Sequence, residues 1–304
     1  MRMVVCRIGS DALVMDSSIQ PIAQSEFEVQ RQWIGRTETR ADYVTAAPIA
    51  ALSATLDRED PEPFAGSDVP PLWHWLFFTP VARHSELGPD GHARRGGFLP
   101  PVALPRRMWA GGRLEFFQPL RIGDEIVRES RIRDVSSKRG RSGPLVFVGV
   151  RHQIANALGV AISEEQDIVY RDQPRGETAA KPQPAPTDES FRREIAPDPV
   201  LLFRYSALTF NGHRIHYDRS YATQAEGYPG LVVHGPLIAT LLIDLLRREV
   251  PYAQVRRFAF KAVRPVFDIH PFTVCGRHGP DRRVELWARD HEGALAMEAS
   301  AELA

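Results

Sequence analysis

Two cysteines, Cys6 and Cys275, are all the thiol in this chain of 304 residues. That is too few for a disulfide framework or a thiolate zinc site, and a reduced, cytoplasmic compartment is the expectation. Charge of either sign is not in excess: 38 Lys and Arg stand against 38 Asp and Glu. No global field draws the chain to nucleic acid or to an anionic membrane, and neither is expected as a partner. Long apolar runs are missing as well. The longest, residues 231–246, is interrupted by His234 and Asp244 and falls short of the roughly 20 residues a membrane span needs. Residues 1–14 carry Arg2, Arg7 and Asp11 with no unbroken apolar core, so no signal peptide is read. Gly96-Gly97 and Gly111-Gly112 do not open helices in the manner of phosphate loops, which leaves nucleotide hydrolysis unsupported. His213 and His216 are three apart, but spacing offers them no third or fourth ligand, and no metal is expected.

What is present is ordinary globular material, 43% apolar and 25% charged, long enough for two domains. A polar, Pro-rich passage with Pro174, Pro182, Pro184 and Pro186 reads as a linker over residues 173–199 that forms no regular element. It separates an N-terminal half, 1–172, from a C-terminal half, 200–304. In the first half, residues 25–32 form a short amphipathic piece and 43–56 read as a helix. Residues 114–120, 124–135, 144–155 and 160–171 lean to β. The second half repeats the order with residues 201–208, a helix over 236–248, and β segments at 258–266, 271–278, 284–289 and 294–303. Leu114-x4-Pro119-Leu120 and Phe260-x4-Pro265-Val266 align at one offset, a weak internal repeat. Pattern alone therefore gives an α+β chain of two like halves, each needing the other to cover a sheet face and edge.

The chemistry concentrates in residues 208–218, Leu-Thr-Phe-Asn-Gly-His-Arg-Ile-His-Tyr-Asp. Asn211, His213, Arg214, His216 and Asp218 share one Gly-containing turn. Some fifteen residues on, Val233-His234-Gly235-Pro236 opens an apolar helix with proline at its first position. The first amides of a helix are unpaired donors, able to hold a carbonyl oxygen that becomes negative during reaction. A histidine beside them suits proton abstraction, or water addition, next to a thioester carbonyl.

These phrases resemble the MaoC-like dehydratases and R-specific enoyl-CoA hydratases, whose signature is Asp-x-Asn-Pro-x-His followed by a Val-His-Gly helix start. The passage from Tyr205 to Leu246 is most similar to the long, two-hotdog branch acting on itaconyl-CoA or mesaconyl-C4-CoA. The family's Asp falls on Asn211, its Asn on His213, its Pro on Arg214 and its catalytic His on His216. The resemblance implies a double hotdog, two antiparallel sheets each wrapping a helix, with one active site per chain because the N-terminal half lacks the phrase. It implies an acyl-CoA hydratase that needs no cofactor, coenzyme A being part of the substrate. It also implies a homodimer, since hotdog proteins commonly associate.

In that reading His216 activates water alone, because the Asn211 amide cannot take a proton. Asn211 orients the water, and the Gly235 amide holds the enolate oxygen. His213, Val233 and His234 shape the pocket, and Arg214 is a candidate partner for a substrate carboxylate. Residues 99–113 read as a lid loop packed by Trp109, with Arg106, Arg107 or Arg113 near coenzyme A phosphates or the carboxylate. Residues 72–78, rich in aromatics, read as core or pocket wall. Three alternatives remain: a 3-hydroxyacyl-thioester dehydratase of fatty acid metabolism, a hotdog thioesterase, and a non-catalytic acyl-CoA-binding module.

Overall fold

A computed structural model describes residues 24–140, 143–172 and 182–304. The first half contains α1 (Gln24–Arg31), β1 (Thr37–Tyr43), α2 (Ala46–Thr55), β2 (Arg106–Phe116), β3 (Glu125–Gly140), β4 (Gly143–Asn156) and β5 (Gly159–Arg171). The second contains β6 (Phe191–Ile195), α3 (Pro199–Leu208), α4 (Gly235–Glu249), β7 (Val255–Ala262), β8 (Phe272–His278), β9 (Arg283–Arg289) and β10 (Leu295–Leu303). The ten strands form one antiparallel sheet in the order β1-β3-β4-β5-β2-β7-β10-β9-β8-β6.

The halves join where β2 meets β7, with Gly112 opposite Phe260 and Leu114 opposite Phe258. The two phrases of the internal repeat therefore lie side by side. Both glycines in β2 are required by this approach: a Cβ on Gly111 would lie 2.7 Å from the Phe260 carbonyl oxygen, and one on Gly112 would lie 2.8 Å from the Phe260 ring. No side chain could separate the strands there without parting the halves.

Helix α4 is apolar around its circumference, and Leu237 through Leu246 are all buried, as expected of a helix enclosed rather than laid on a surface. It packs against β8, β9 and β10. A core cluster runs through both halves, joining Leu52 and Ile126 of the first to Leu242 and Val274 of the second. The one acid in the buried stretch, Asp244, is met by Arg58, Arg193 and Arg248 at 2.7, 3.1 and 2.8 Å. These come from the segment after α2, from β6 and from α4 itself, so a fully desolvated charge is paired from three elements. Among the described residues no helix is long and apolar enough to cross a membrane.

Four expectations need correction. Residues 191–195, placed in a structureless linker, form β6: Phe191 and Ile195 are buried and their neighbours exposed, a half-buried alternation too short to stand out beside the prolines. The 173–181 part of that linker lies outside the described residues. Residues 106–113 are not lid but the first two-thirds of the central strand β2, with a bulge between Trp109 and Gly111. Consecutive glycines and arginines mask strand character in sequence, and pairing on both sides overrides it. Tyr43 belongs to β1 rather than to the helix, which starts at Ala46. β1 itself, Thr-Glu-Thr-Arg-Ala-Asp-Tyr, is a charged edge strand whose polarity hid it.

Candidate active site

Three segments converge on one cluster: the motif 211–218, the start of α4, and the loop 88–92 that the first half sends across. The motif is set by α3 and its exit. Asp198 caps α3 by accepting from the Leu201 N–H at 2.8 Å, with Pro199 at the first helical position. The chain leaves through Phe210 at φ +51°, and the Asn211 Oδ1 accepts from the His213 N–H at 3.1 Å. Asn211 thus closes an Asx turn ahead of the 3-10 turn Arg214–His216.

That turn sends His216 inward, 8% exposed. Its Nδ1 lies 2.7 Å from the Val232 carbonyl oxygen, which can only accept. The proton therefore sits on Nδ1, and Nε2 keeps the lone pair. Burial pushes the His216 imidazole down to about 4, against the Val232 hydrogen bond that raises it, so the ring is neutral at neutral pH with its Nε2 lone pair free to accept a proton. His216 stacks on His234 with centroids 3.7 Å apart and planes 18° apart. His234, 1% exposed, has its Nε2 2.8 Å from Ser206 Oγ; its Nδ1 is buried without a partner among the described residues. Burial holds its imidazole well below the ordinary range too.

Gly235 opens α4, and among the described residues its N–H has no acceptor. A Cβ there would meet nothing nearer than the Trp109 carbonyl oxygen at 3.9 Å. Neither backbone conformation nor neighbouring protein atoms demand glycine at this position. The missing side chain leaves room at the donor end of the helix, where the dipole favours developing negative charge.

The loop 88–92 docks backbone to backbone on the motif. Gly91 has φ +88°, and a Cβ on it would lie 1.9 Å from the Gly212 carbonyl oxygen. Arg214 donates its N–H to the Asp90 carbonyl at 2.9 Å and Nη1 to the Pro89 carbonyl at 3.0 Å. This docking presents His92, with Asp90 Oδ2 at 3.2 Å from its Nδ1, to His213, ring centroids 4.2 Å apart. His213 in turn meets His216 edge-on at 5.3 Å. Four imidazoles run in a row from His92 to His234. Burial drives His213 down to about 2, helped by His92 and His216 beside it. Asp90, although burial opposes it, is held far below the usual carboxylate range by its hydrogen bond to His92.

Asp90, His92 and His213 have ligand-type atoms within 4.8 Å of one another, a third partner that spacing in the sequence did not reveal. The positive charges of Arg107 and Arg95 act on His92, and that of Arg107 on His213. Two guanidinium groups disfavour a dication there, and the cluster is an Asp90–His92 hydrogen bond continued by ring contacts to His213 and His216.

The other sequence candidates divide. Arg107 shares a hydrogen bond with Tyr170, and its charge is among those that lower His92 and His213. Arg106 donates to the Glu226 carbonyl at 2.6 Å, pairs with the Glu226 carboxylate at 3.2 Å and lies over the Tyr228 ring. Arg214 is held by Asp218 at 2.8 Å and lies over Tyr221, so its charge is neutralised within the motif instead of standing ready for a substrate carboxylate. Arg113 is exposed, next in β2 to the inward-facing Leu114, and pairs with Glu165 and Asp167 at 3.1 and 2.7 Å. Strand alternation turns it away from the site. Trp109 packs edge-on against Trp75 at 5.0 Å and Phe260 at 5.7 Å, and Val233 lies in the core with its N–H bonded to Val266. Residues 72–78 are core, with Trp73 1% exposed. Sequence reading missed Asp90, His92 and Ser206. Asp90-Gly91-His92 is a turn tripeptide far from the motif in sequence, and nothing local marks it.

A continuous antiparallel sheet packs on an enclosed helix, with a buried His and a glycine helix start beside it. The family model for hydroxyacyl-thioester dehydratase type 2 matches residues 72–268, and the chain belongs to this family. It is 50% identical over 274 residues to the mesaconyl-C(4)-CoA hydratase of Chloroflexus aurantiacus, covering 89% of this chain and 96% of that protein. A MaoC-like dehydratase structure superposes with a TM-score of 0.68 at 14% identity, covering 91% of this chain and 99% of the other. A Mycobacterium tuberculosis protein described as having a double hotdog fold superposes with a TM-score of 0.54 at 12% identity, covering 89% and 96%. The fold expectation, α+β double hotdog, is met.

Proposed function

We propose that this enzyme adds water to the double bond of a C5 dicarboxylic enoyl-CoA of the mesaconyl-C4-CoA type, giving citramalyl-CoA. The observation that carries the chemistry is the tautomer of His216: with Nδ1–H fixed on the Val232 carbonyl, Nε2 is a neutral, desolvated base. A water O–H bond breaks toward Nε2 while its oxygen bonds the β-carbon. The C=C electron pair moves to the thioester oxygen, held by the Gly235 N–H, and the enolate then takes a proton at the α-carbon. Asn211 has its Oδ1 in the turn, leaving only its amide NH2 to hold water or the thioester.

The dicarboxylic preference rests on the 50% identity to a mesaconyl-C(4)-CoA hydratase over most of both chains and on Arg107. Arg106, Arg113 and Arg214 are engaged by Glu226, Asp167 and Asp218. Arg95 and Arg107 are guanidiniums whose charge reaches the histidine row; Arg95 is engaged by the Val102, Leu104 and Pro105 carbonyls, and Arg107 is suited to a bidentate carboxylate contact.

Mass spectrometry of products tests this reading. Incubation with mesaconyl-C4-CoA is expected to yield the thioester plus one water, faster than with crotonyl-CoA, and Arg107→Gln is expected to erase that preference. Release of free coenzyme A in place of the hydrated thioester would make the protein a thioesterase. Equal rates on both substrates in the unaltered enzyme would remove the dicarboxylic assignment.

A further inference from the structure

We propose that Asp90 and His92 are positioning residues of the active site, acting through His213 to supply the carboxylate that position 211 of the motif lacks. The proposal deepens the hydratase reading above and rests on it.

The first observation is placement. The loop reaches the motif from the other half of the chain and is fixed there by the Gly91–Gly212 backbone contact and by two hydrogen bonds from Arg214. A loop merely crossing the surface would not need a glycine at φ +88° pressed onto the motif's own glycine. The second is continuity: Asp90 touches His92, His92 faces His213, and His213 meets His216, at 3.2, 4.2 and 5.3 Å. The third is charge. Asp218 is paired with Arg214, Glu226 with Arg106 and Asp268 with Arg219, whereas Asp90 faces His92 and His213. The groups acting on this row are Asp90, Arg95, Arg107 and the histidines themselves.

The need for such a group follows from the reaction. When His216 takes the water's proton, a cation forms among rings that burial keeps neutral. A carboxylate at the far end of the row offsets that charge and fixes the orientation of His92 and His213. Asn211, which stands where the family motif has its acid, cannot do this.

Asp90→Asn is the test, because an asparagine can keep the acceptor that Asp90 Oδ1 offers the His92 N–H at 3.1 Å while the charge is gone. Expected are a fall in kcat of about 10- to 100-fold, a KM changed far less, partial recovery in Asp90→Glu, and an unchanged melting temperature. In the resting protein, imidazole nitrogen NMR should show His92 protonated on Nδ1, and Asp90→Asn should release that tautomer. Wild-type kcat in Asp90→Asn, or a loss that tracks a lowered melting temperature, would overturn the proposal, as would a His92 not protonated on Nδ1. If the unaltered enzyme hydrates no thioester, the reaction reading falls, and the NMR result by itself decides whether Asp90 governs the histidine row.

Discussion

His216 and His234 lie face to face, ring centroids 3.7 Å apart, one tied by Nδ1 to the Val232 carbonyl and the other by Nε2 to Ser206. Each imidazole is thereby locked in orientation and kept from water, so the stack holds both the proposed base and its support. Ser206→Ala should loosen His234 and tilt His216. A stability loss of about 1–3 kcal/mol is expected from the buried nitrogen left unpaired, with kcat falling beside it. Chemical denaturation and steady-state rates on one preparation check both.

Gly235→Ala separates structure from chemistry. Nothing in the protein lies closer than 3.9 Å to the added methyl, and alanine suits a helix better than glycine by up to about 1 kcal/mol. The variant should melt at or above the temperature of the parent while losing about 10- to 1,000-fold in kcat, as the methyl fills the space of the thioester oxygen. A fully active Gly235→Ala would move the oxyanion site elsewhere.

Gly91→Ala is expected to do the reverse of a mild surface change. Its Cβ would lie 1.9 Å from the Gly212 carbonyl oxygen, so the loop must lift from the motif. Gly66→Ala, at φ +90° with nothing within 4 Å, provides the comparison, losing only the strain of about 1 kcal/mol that a left-handed backbone imposes on alanine. Hydrogen exchange of the Arg214 amide, bonded to Asp90, should rise in Gly91→Ala and stay unchanged in Gly66→Ala.

The buried histidines make stability depend on acid. His213, His216 and His234 have their folded values below the ordinary 6.5 because burial disfavours the cation. Between about pH 6.5 and 4 the unfolded chain binds protons that the folded chain does not, so stability falls as pH falls through that window. Each fully buried ring contributes up to about 1.4 kcal/mol per pH unit. Urea midpoints at pH 7, 6, 5 and 4 should drop steadily, and His234→Phe should flatten the slope.

The motif, the helix start and the two-half plan were legible in sequence because each is local: Pro236 and eight buried apolar residues write α4 plainly, and β3 to β5 alternate over long stretches. What stayed hidden depends on distant pairing. Arg106 to Arg113 form a strand because β5 pairs along them and β7 joins from Gly111 onward, a fact absent from their own glycine- and arginine-rich pattern. Phe191 to Ile195 form β6 because β8 offers an edge. Asp90 and His92 join the site only because Gly91 can press against Gly212, about 120 residues away by chain count. The roles expected of Arg214 and Arg113 were altered by neighbours, Asp218 at one and Glu165 with Asp167 at the other.

On the proposed mechanism, His216 Nε2 activates water for addition to an enoyl thioester. Absorbance of the conjugated thioester, followed with mesaconyl-C4-CoA and with crotonyl-CoA, measures it directly in the unaltered enzyme and in His216→Gln. Loss of the band in the former, slowed about 100- to 10,000-fold in a folded His216→Gln, is the predicted result. A His216→Gln enzyme that bleaches the band at the unaltered rate would contradict it.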